Sequence, residues 1–167
     1  MSAERFPEVG DPVPPFDLAC DDGSRVSERT LRGRPYVIYF YPRDNTPGCT
    51  REAVAFSELA PAFAELGIEI LGVSGDSLES HRRFRDRYGL RVRLASDPGH
   101  EVARRFGAYG EKKRYGRVST GVIRSTFLVG ADGRVLARWR QVRVPGHAER
   151  VLEEAQKLLA RASARER

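Results

Sequence analysis

Apolar residues recur along the chain with two alternating periods, separated by turn signals. Residues 36–41 form a run with no charge, the pattern of a central strand buried on both faces. Thr46 followed by Pro47 fits a helix N-cap and first helical position. Phe56, Leu59, Phe63 and Leu66 then recur at spacings of three and four, one apolar helix face. Pro61 lies inside this segment and predicts a kink or re-initiation near Ala60, and Gly67 ends the helix. Further on, the pattern predicts a strand over 68–74, a helix over 77–88 stopped by Gly89, a short strand over 92–95, and a short helix from Asp97 to near Gly107. Residues 107–121 read as a polar, basic loop. Strands over 124–129 and 135–139 are joined by the turn residues Asp132-Gly133, and Asp22-Gly23 marks an earlier hairpin. A final amphipathic helix covers 148–160, with Val151, Leu152, Ala155, Leu158 and Leu159 on one side, and the charged last few residues are expected to fray.

The order is a hairpin, then alternating strands and helices, then a hairpin and a helix. Alternation implies parallel pairing with helices on both faces, and the late hairpin adds antiparallel pairing at one side. No repeat or linker divides residues 1–167, so a single α/β domain is expected. At 167 residues and 40% hydrophobic, the chain can build one core but not two ordinary ones. No apolar run approaches the ~18 residues of a spanning helix, and the N-terminus lacks an apolar signal core. A cytoplasmic protein without membrane contact is the expectation.

Composition changes this picture little. The formal charge is +6, and 26 of the 29 basic residues are Arg. They are spread along the chain and interleaved with Asp and Glu, which reads as a solvated surface and not a nucleic-acid site. The basic run Lys112-Lys113-Arg114…Arg117 is read the same way. His81, His100 and His147 are isolated and are expected at the surface, with no metal site. Two cysteines, Cys20 and Cys49, cannot build a disulfide scaffold.

Chemistry therefore falls to a thiol. With Thr46 as N-cap, Cys49 occupies the third helical position, facing unpaired backbone N–H groups and the positive end of the helix dipole. Such a site favours thiolate over thiol. The competing reading is a small buried hydrophobe near a helix end. The preceding strand and loop place the thiol where α/β folds put active sites.

The segment Pro42-Arg43-Asp44-Asn45-Thr46-Pro47-Gly48-Cys49 resembles the peroxiredoxin signature P-x-x-x-T-x-x-C. Its local form, with Tyr39-Phe40-Tyr41 before and Thr50 after, is similar to the PrxQ branch, also called bacterioferritin comigratory protein. Gly10-Asp11…Asp22-Gly23, Tyr109-Gly110-Glu111-Lys112 and Arg124-Ser125-Thr126-Phe127 extend the resemblance over roughly residues 8–160. The resemblance implies a thioredoxin-like fold, a mixed sheet flanked by helices with an N-terminal β-hairpin extension. It implies a thiol-dependent peroxidase with no cofactor. Cys49 is then the peroxidatic cysteine, Thr46 bonds the thiolate or the peroxide, and Arg124 holds Cys49 ionised and bonds the peroxide oxygens. Pro42 walls the pocket from water. Glu52 matches an acidic position that braces the arginine, although an exposed first-turn Glu serving the dipole is an equal alternative.

Acidity alone does not explain catalysis. Lowering a thiol pKa from about 8.5 to about 6 raises its thiolate fraction at pH ~7.4 roughly thirteen-fold. A Brønsted coefficient of ~0.45 lowers nucleophilicity by about the same factor. Acceleration must come from groups that bind the transition state better than the ground state.

The chain departs from the resemblance in one respect. A resolving cysteine is often found five residues after the peroxidatic one, which here is Val54, or on the helix after Ser96-Asp97-Pro98, where residues 99–107 hold no Cys. Cys20 is the one remaining candidate. A 1-Cys cycle is therefore expected, with thioredoxin, glutaredoxin or a low-molecular-weight thiol as reductant. The alternatives are Cys20 as an atypical resolving cysteine and a non-enzymatic redox sensor. Dithiol exchange is disfavoured because no second Cys flanks Cys49. A monomer is favoured, with a dimer next.

Overall fold

The computed structural model describes residues 5–165. Strands Asp17–Cys20 (β1) and Arg25–Ser27 (β2) form the first hairpin, turning at Gly23 with φ 86°. The uncharged run is strand Tyr36–Phe40 (β3), buried at every position. It feeds helix Pro47–Glu65 (α1), then strand Glu69–Ser74 (β4), helix Leu78–Tyr88 (α2) and strand Arg93–Ser96 (β5). Ser77 caps α2 by accepting from Ser80 N–H, and Gly89 ends it in the left-handed region, as the sequence signals require.

Seven strands form one mixed sheet in the order β2-β1-β5-β4-β3-β8-β9, where β8 is Ser125–Val129 and β9 is Val135–Arg140. β3 runs parallel to β4 and antiparallel to β8, with Phe40 opposite Ser125. The sheet has a core on each face. On one, Val37, Tyr39 and Tyr41 pack with Phe56 and Phe63 of α1, Phe84 of α2, and Val151 and Ala155 of helix His147–Arg165 (α4). On the other, Ile38 and Phe40 pack with the N-terminal arm and with Val102 and Ala103 of helix Glu101–Arg105 (α3). Among the described residues no helix is long and apolar enough to cross a membrane.

Four expectations are corrected. α1 runs unbroken through Pro61, which lies on its exposed side while Phe56 and Phe63 hold the buried side. Packing outweighs the ~3 kcal/mol intrinsic cost of an internal proline. The basic loop is an antiparallel ribbon, Tyr109–Arg114 (β6) with Arg117–Val122 (β7). Its turn residues Tyr115 and Gly116 both have positive φ, the geometry of a tight hairpin turn. The ribbon is largely solvent-exposed, so no apolar alternation announced it. His81 and His147 are buried, because each sits at a core-facing helix position with a polar partner waiting. Finally, α4 continues to Arg165, beyond the expected end, and residues 166 and 167 lie outside the described part.

Candidate active site

The turn from β3 into α1 carries the site. Thr46 is the N-cap with extended backbone (φ −83°, ψ 153°), and Pro47 opens the helix. The Thr46 side chain makes no capping bond. Its Oγ1 donates instead to Arg43 O at 2.9 Å. Thr50 N–H closes the first helical turn on Thr46 O at 2.9 Å. Cys49, one turn in, is 2% exposed.

Arg124 reaches this thiol from the start of β8, which lies beside the end of β3. Its Nη2 is 3.3 Å from Cys49 Sγ, and its Nη1 donates to Glu52 Oε1 at 2.6 Å. Cys49 and Glu52 are one helical turn apart, so α1 presents both to one guanidinium. The exposed alternative for Glu52 is thereby corrected, because its side chain is 1% exposed and turned inward. Burial pushes the Glu52 carboxyl up to about 7, against the pull of Arg124. For Arg124, burial alone would weaken its hold on the proton, but the charges of Glu52 and Cys49 outweigh this and raise its pKa. Pro42 lies half-buried between the end of β3 and the loop.

Tyr39 lies beneath. Its hydroxyl is fully buried, has no partner, and is held far above its ordinary pKa by burial, with Glu52 and Cys49 adding to the effect. Gly72 on the neighbouring strand makes room for it, since a Cβ there would stand 2.8 Å from the phenol. Thr126, opposite Tyr39, shares a 2.8 Å bond with His147 Nε2. Burial, aided by Arg150 and Arg124, lowers His147 to about 4, so this ring is neutral at pH 7.

A second group was not legible in the sequence. Asp44 Oδ1 accepts from Tyr41 OH at 2.6 Å, and its Oδ2 accepts from Ser80 Oγ at 2.8 Å and lies 2.7 Å from His81 Nδ1. His81 Nε2 is 2.9 Å from Ala95 O, a group that can only accept, so this nitrogen carries a hydrogen. Asp76 Oδ2 accepts from Asp44 N–H at 2.8 Å. Asp44, Asp76 and His81 come close enough to suggest a metal cluster. Asp44 Oδ2 and His81 Nδ1 are bonded to each other, Asp44 Oδ2 also accepts from Ser80, and Asp76 Oδ2 accepts from the Asp44 N–H and Ser74 Oγ, which fits a closed hydrogen-bond network. Asp44 lies two residues before Thr46, but nothing local links it to a histidine on the next helix.

Cys20 is far from this site. It sits on β1, separated from β3 by β5 and β4, a lateral offset of about 14 Å at ~4.8 Å per strand. Its side chain belongs to the core on the other face of the sheet from Cys49. Burial pushes its thiol up to about 11, against the opposing charge of Arg93. Clefts of about 680 and 670 Å³ open between α1 and α2 beside the starts of β4 and β5, and at the β1–α3 margin, and no group of the Cys49 site lines either.

Residues 9–138 match the model of the AhpC/TSA family. The chain is 40% identical over 146 residues to peroxiredoxin Bcp of Bacillus subtilis, covering 87% of this chain and 93% of that one. It is 43% identical over 143 residues to peroxiredoxin Bcp of Xanthomonas campestris, covering 84% and 89%. Among solved structures, a cysteine-to-serine variant of Xylella fastidiosa PrxQ superposes with a TM-score of 0.84 at 36% identity, covering 95% and 99%. The bacterioferritin comigratory protein of Xanthomonas campestris gives 0.82 at 38%, covering 89% and 99%. With a thiol, a guanidinium and a carboxylate gathered at a helix start of a thioredoxin-like fold, and with these relatives, the chain belongs to the AhpC/TSA family as a peroxiredoxin, a thiol-dependent peroxidase of the Bcp/PrxQ branch.

Proposed function

We propose that the protein reduces hydroperoxides at Cys49 by a 1-Cys cycle completed by an external thiol. The observation that carries this reading is the Arg124 guanidinium, 3.3 Å from Cys49 Sγ and anchored by Glu52. The Cys49 thiolate attacks the terminal peroxide oxygen. The S–O bond forms, the O–O bond breaks, and the departing hydroxide or alkoxide takes a proton to leave as water or alcohol. Arg124 is placed to stabilise the charge that moves from sulfur to the leaving oxygen. Thr46 donates its hydrogen to Arg43 O, so its oxygen offers lone pairs and accepts the peroxide O–H. This favours the peroxide over the thiolate as its partner. Pro42 walls the pocket.

The sulfenic acid is resolved from outside. A reductant thiolate attacks Cys49 sulfur, forming a mixed disulfide and expelling the hydroxyl as water, and a second thiol releases Cys49 as a new disulfide forms. Supporting this are the empty position at Val54, the absence of Cys from residues 99–107, and the distance of Cys20 across the sheet. The reductant is a thioredoxin, a glutaredoxin or a low-molecular-weight thiol. The Xanthomonas campestris relative reduces alkyl peroxides, which supports organic hydroperoxides as substrates here beside hydrogen peroxide. The test is peroxide consumption with dithiothreitol: Cys49→Ser should abolish it and Cys20→Ser should leave most of it. Activity surviving in Cys49→Ser would overturn the mechanism.

A further inference from the structure

We infer that Asp76 is a positioning residue for Thr46, acting through the peptide that joins Arg43 to Asp44. The inference rests on the role given to Thr46 above. The N–H of that peptide donates to Asp76 Oδ2 at 2.8 Å, and its C=O accepts from Thr46 Oγ1 at 2.9 Å. In a planar trans peptide these two groups point in opposite directions, so gripping one end orients the other. Asp76 therefore aims the Thr46 hydroxyl without touching it.

Asp76 is itself fixed from three sides. Ser74 Oγ donates to its Oδ2 at 2.6 Å, its own N–H donates to Ser74 Oγ at 3.2 Å, and Ser96 Oγ donates to its backbone carbonyl at 2.6 Å. These bonds tie it to the ends of β4 and β5. The Asp44 side chain, held by Tyr41, Ser80 and His81, secures the other end of the loop. The next residue, Asn45, takes a left-handed backbone (φ 64°), which is uncommon outside glycine and needs surroundings that hold it.

The consequence is chemical. With its hydrogen committed to Arg43 O, Thr46 can only accept from the pocket side. If the Arg43–Asp44 peptide rotates, the Thr46 hydroxyl loses the acceptor that orients it, and the peroxide O–H loses a fixed acceptor beside Cys49. That acceptor serves the peroxide transition state and is not used by an alkylating agent, so the two reactions respond differently.

The test uses the full chain and two readouts: the second-order rate with hydrogen peroxide by stopped flow, and the rate of Cys49 alkylation by iodoacetamide. Thr46→Val should slow the peroxide step at least about tenfold, toward the range for loss of one oriented polar group. Asp76→Ala should slow it comparably while alkylation stays within about twofold, and the double variant should be no slower than Thr46→Val alone, since both changes act through one group. Asp76→Asn keeps a carbonyl oxygen for the Asp44 N–H and should return to within about threefold of the parent. Multiplying effects in the double variant, an Asp76→Asn as slow as Asp76→Ala, or alkylation falling in parallel would each overturn the inference. An unchanged rate in Thr46→Val would overturn the Thr46 reading itself. Should Asp76→Ala fail to fold, Ser74→Ala loosens Asp76 more gently. A fall in the peroxide rate that vanishes when Thr46 is already Val then supports the inference, and a fall that persists there, or no fall at all, overturns it.

Discussion

Cys49 and Glu52, one turn apart on α1, share a single guanidinium: Arg124 gives Nη2 to the sulfur at 3.3 Å and Nη1 to the carboxylate at 2.6 Å. The two acceptors compete for one cation. In the proposed reaction only the sulfur takes part in bond making, Glu52 fixes the plane and reach of the guanidinium, and Cys49 and its substrate use the free edge.

Removing the cation should separate ionisation from catalysis. Arg124→Met is expected to lower the second-order rate with peroxide by at least about tenfold, as loss of an oriented donor does. Stopped-flow rates over a range of pH give the thiolate's own rate as the plateau at high pH. A plateau equal to the parent's would show that Arg124 acts on ionisation alone.

Stability should carry the mark of the Glu52 carboxyl. Its folded pKa of about 7 lies above the ordinary value of 4.5, because burial disfavours the charge. The folded state therefore holds a proton that the unfolded chain has lost across that window, and folding stability falls as pH rises from about 4.5 through about 7. The full effect is on the order of 3 kcal/mol. Glu52→Gln removes this titration, so the variant should gain on the parent as pH is raised from 5 to 8. Urea midpoints at the two pH values measure it, and a constant difference between the proteins would contradict the assignment.

One equivalent of peroxide without reductant should leave a monomer with one added oxygen, trappable by dimedone. Excess peroxide should drive Cys49 on to the sulfinic acid, since no internal thiol competes. Intact mass distinguishes this from an internal Cys20–Cys49 disulfide, two mass units lighter, which needs Cα atoms within about 7 Å. That disulfide would refute the 1-Cys cycle, as would a disulfide-linked dimer as the main product.

What could be read from the sequence was local or strongly patterned. The uncharged run became β3, and Ser77 and Gly89 bounded α2, because burial and capping are written in adjacent residues. Cys49 and Arg124 were placed by a motif and a distant match, and the structure sets them in contact. Glu52 stayed ambiguous because helix position alone does not say which side meets a strand 72 residues later. The Asp44–His81 pair spans 37 residues and is created by packing α2 against the loop. The ribbon β6–β7 leaves no apolar alternation in the sequence because its strands lean mainly on each other, so hydrogen bonding shapes it and burial does not.

The groups proposed to handle peroxide, and those that hold them, gather at one end of the central strands: the ends of β3, β4 and β5 and the beginning of β8. The helices on the Tyr39 face meet that end through the first turn of α1 and through Ser80 and His81 of α2, while the far halves of α1 and α4 pack on the core. Most of the packing that sustains the fold thereby lies away from the reactive end. Substitutions in the far halves of α1 and α4 can shift the melting temperature while the folded fraction keeps its turnover.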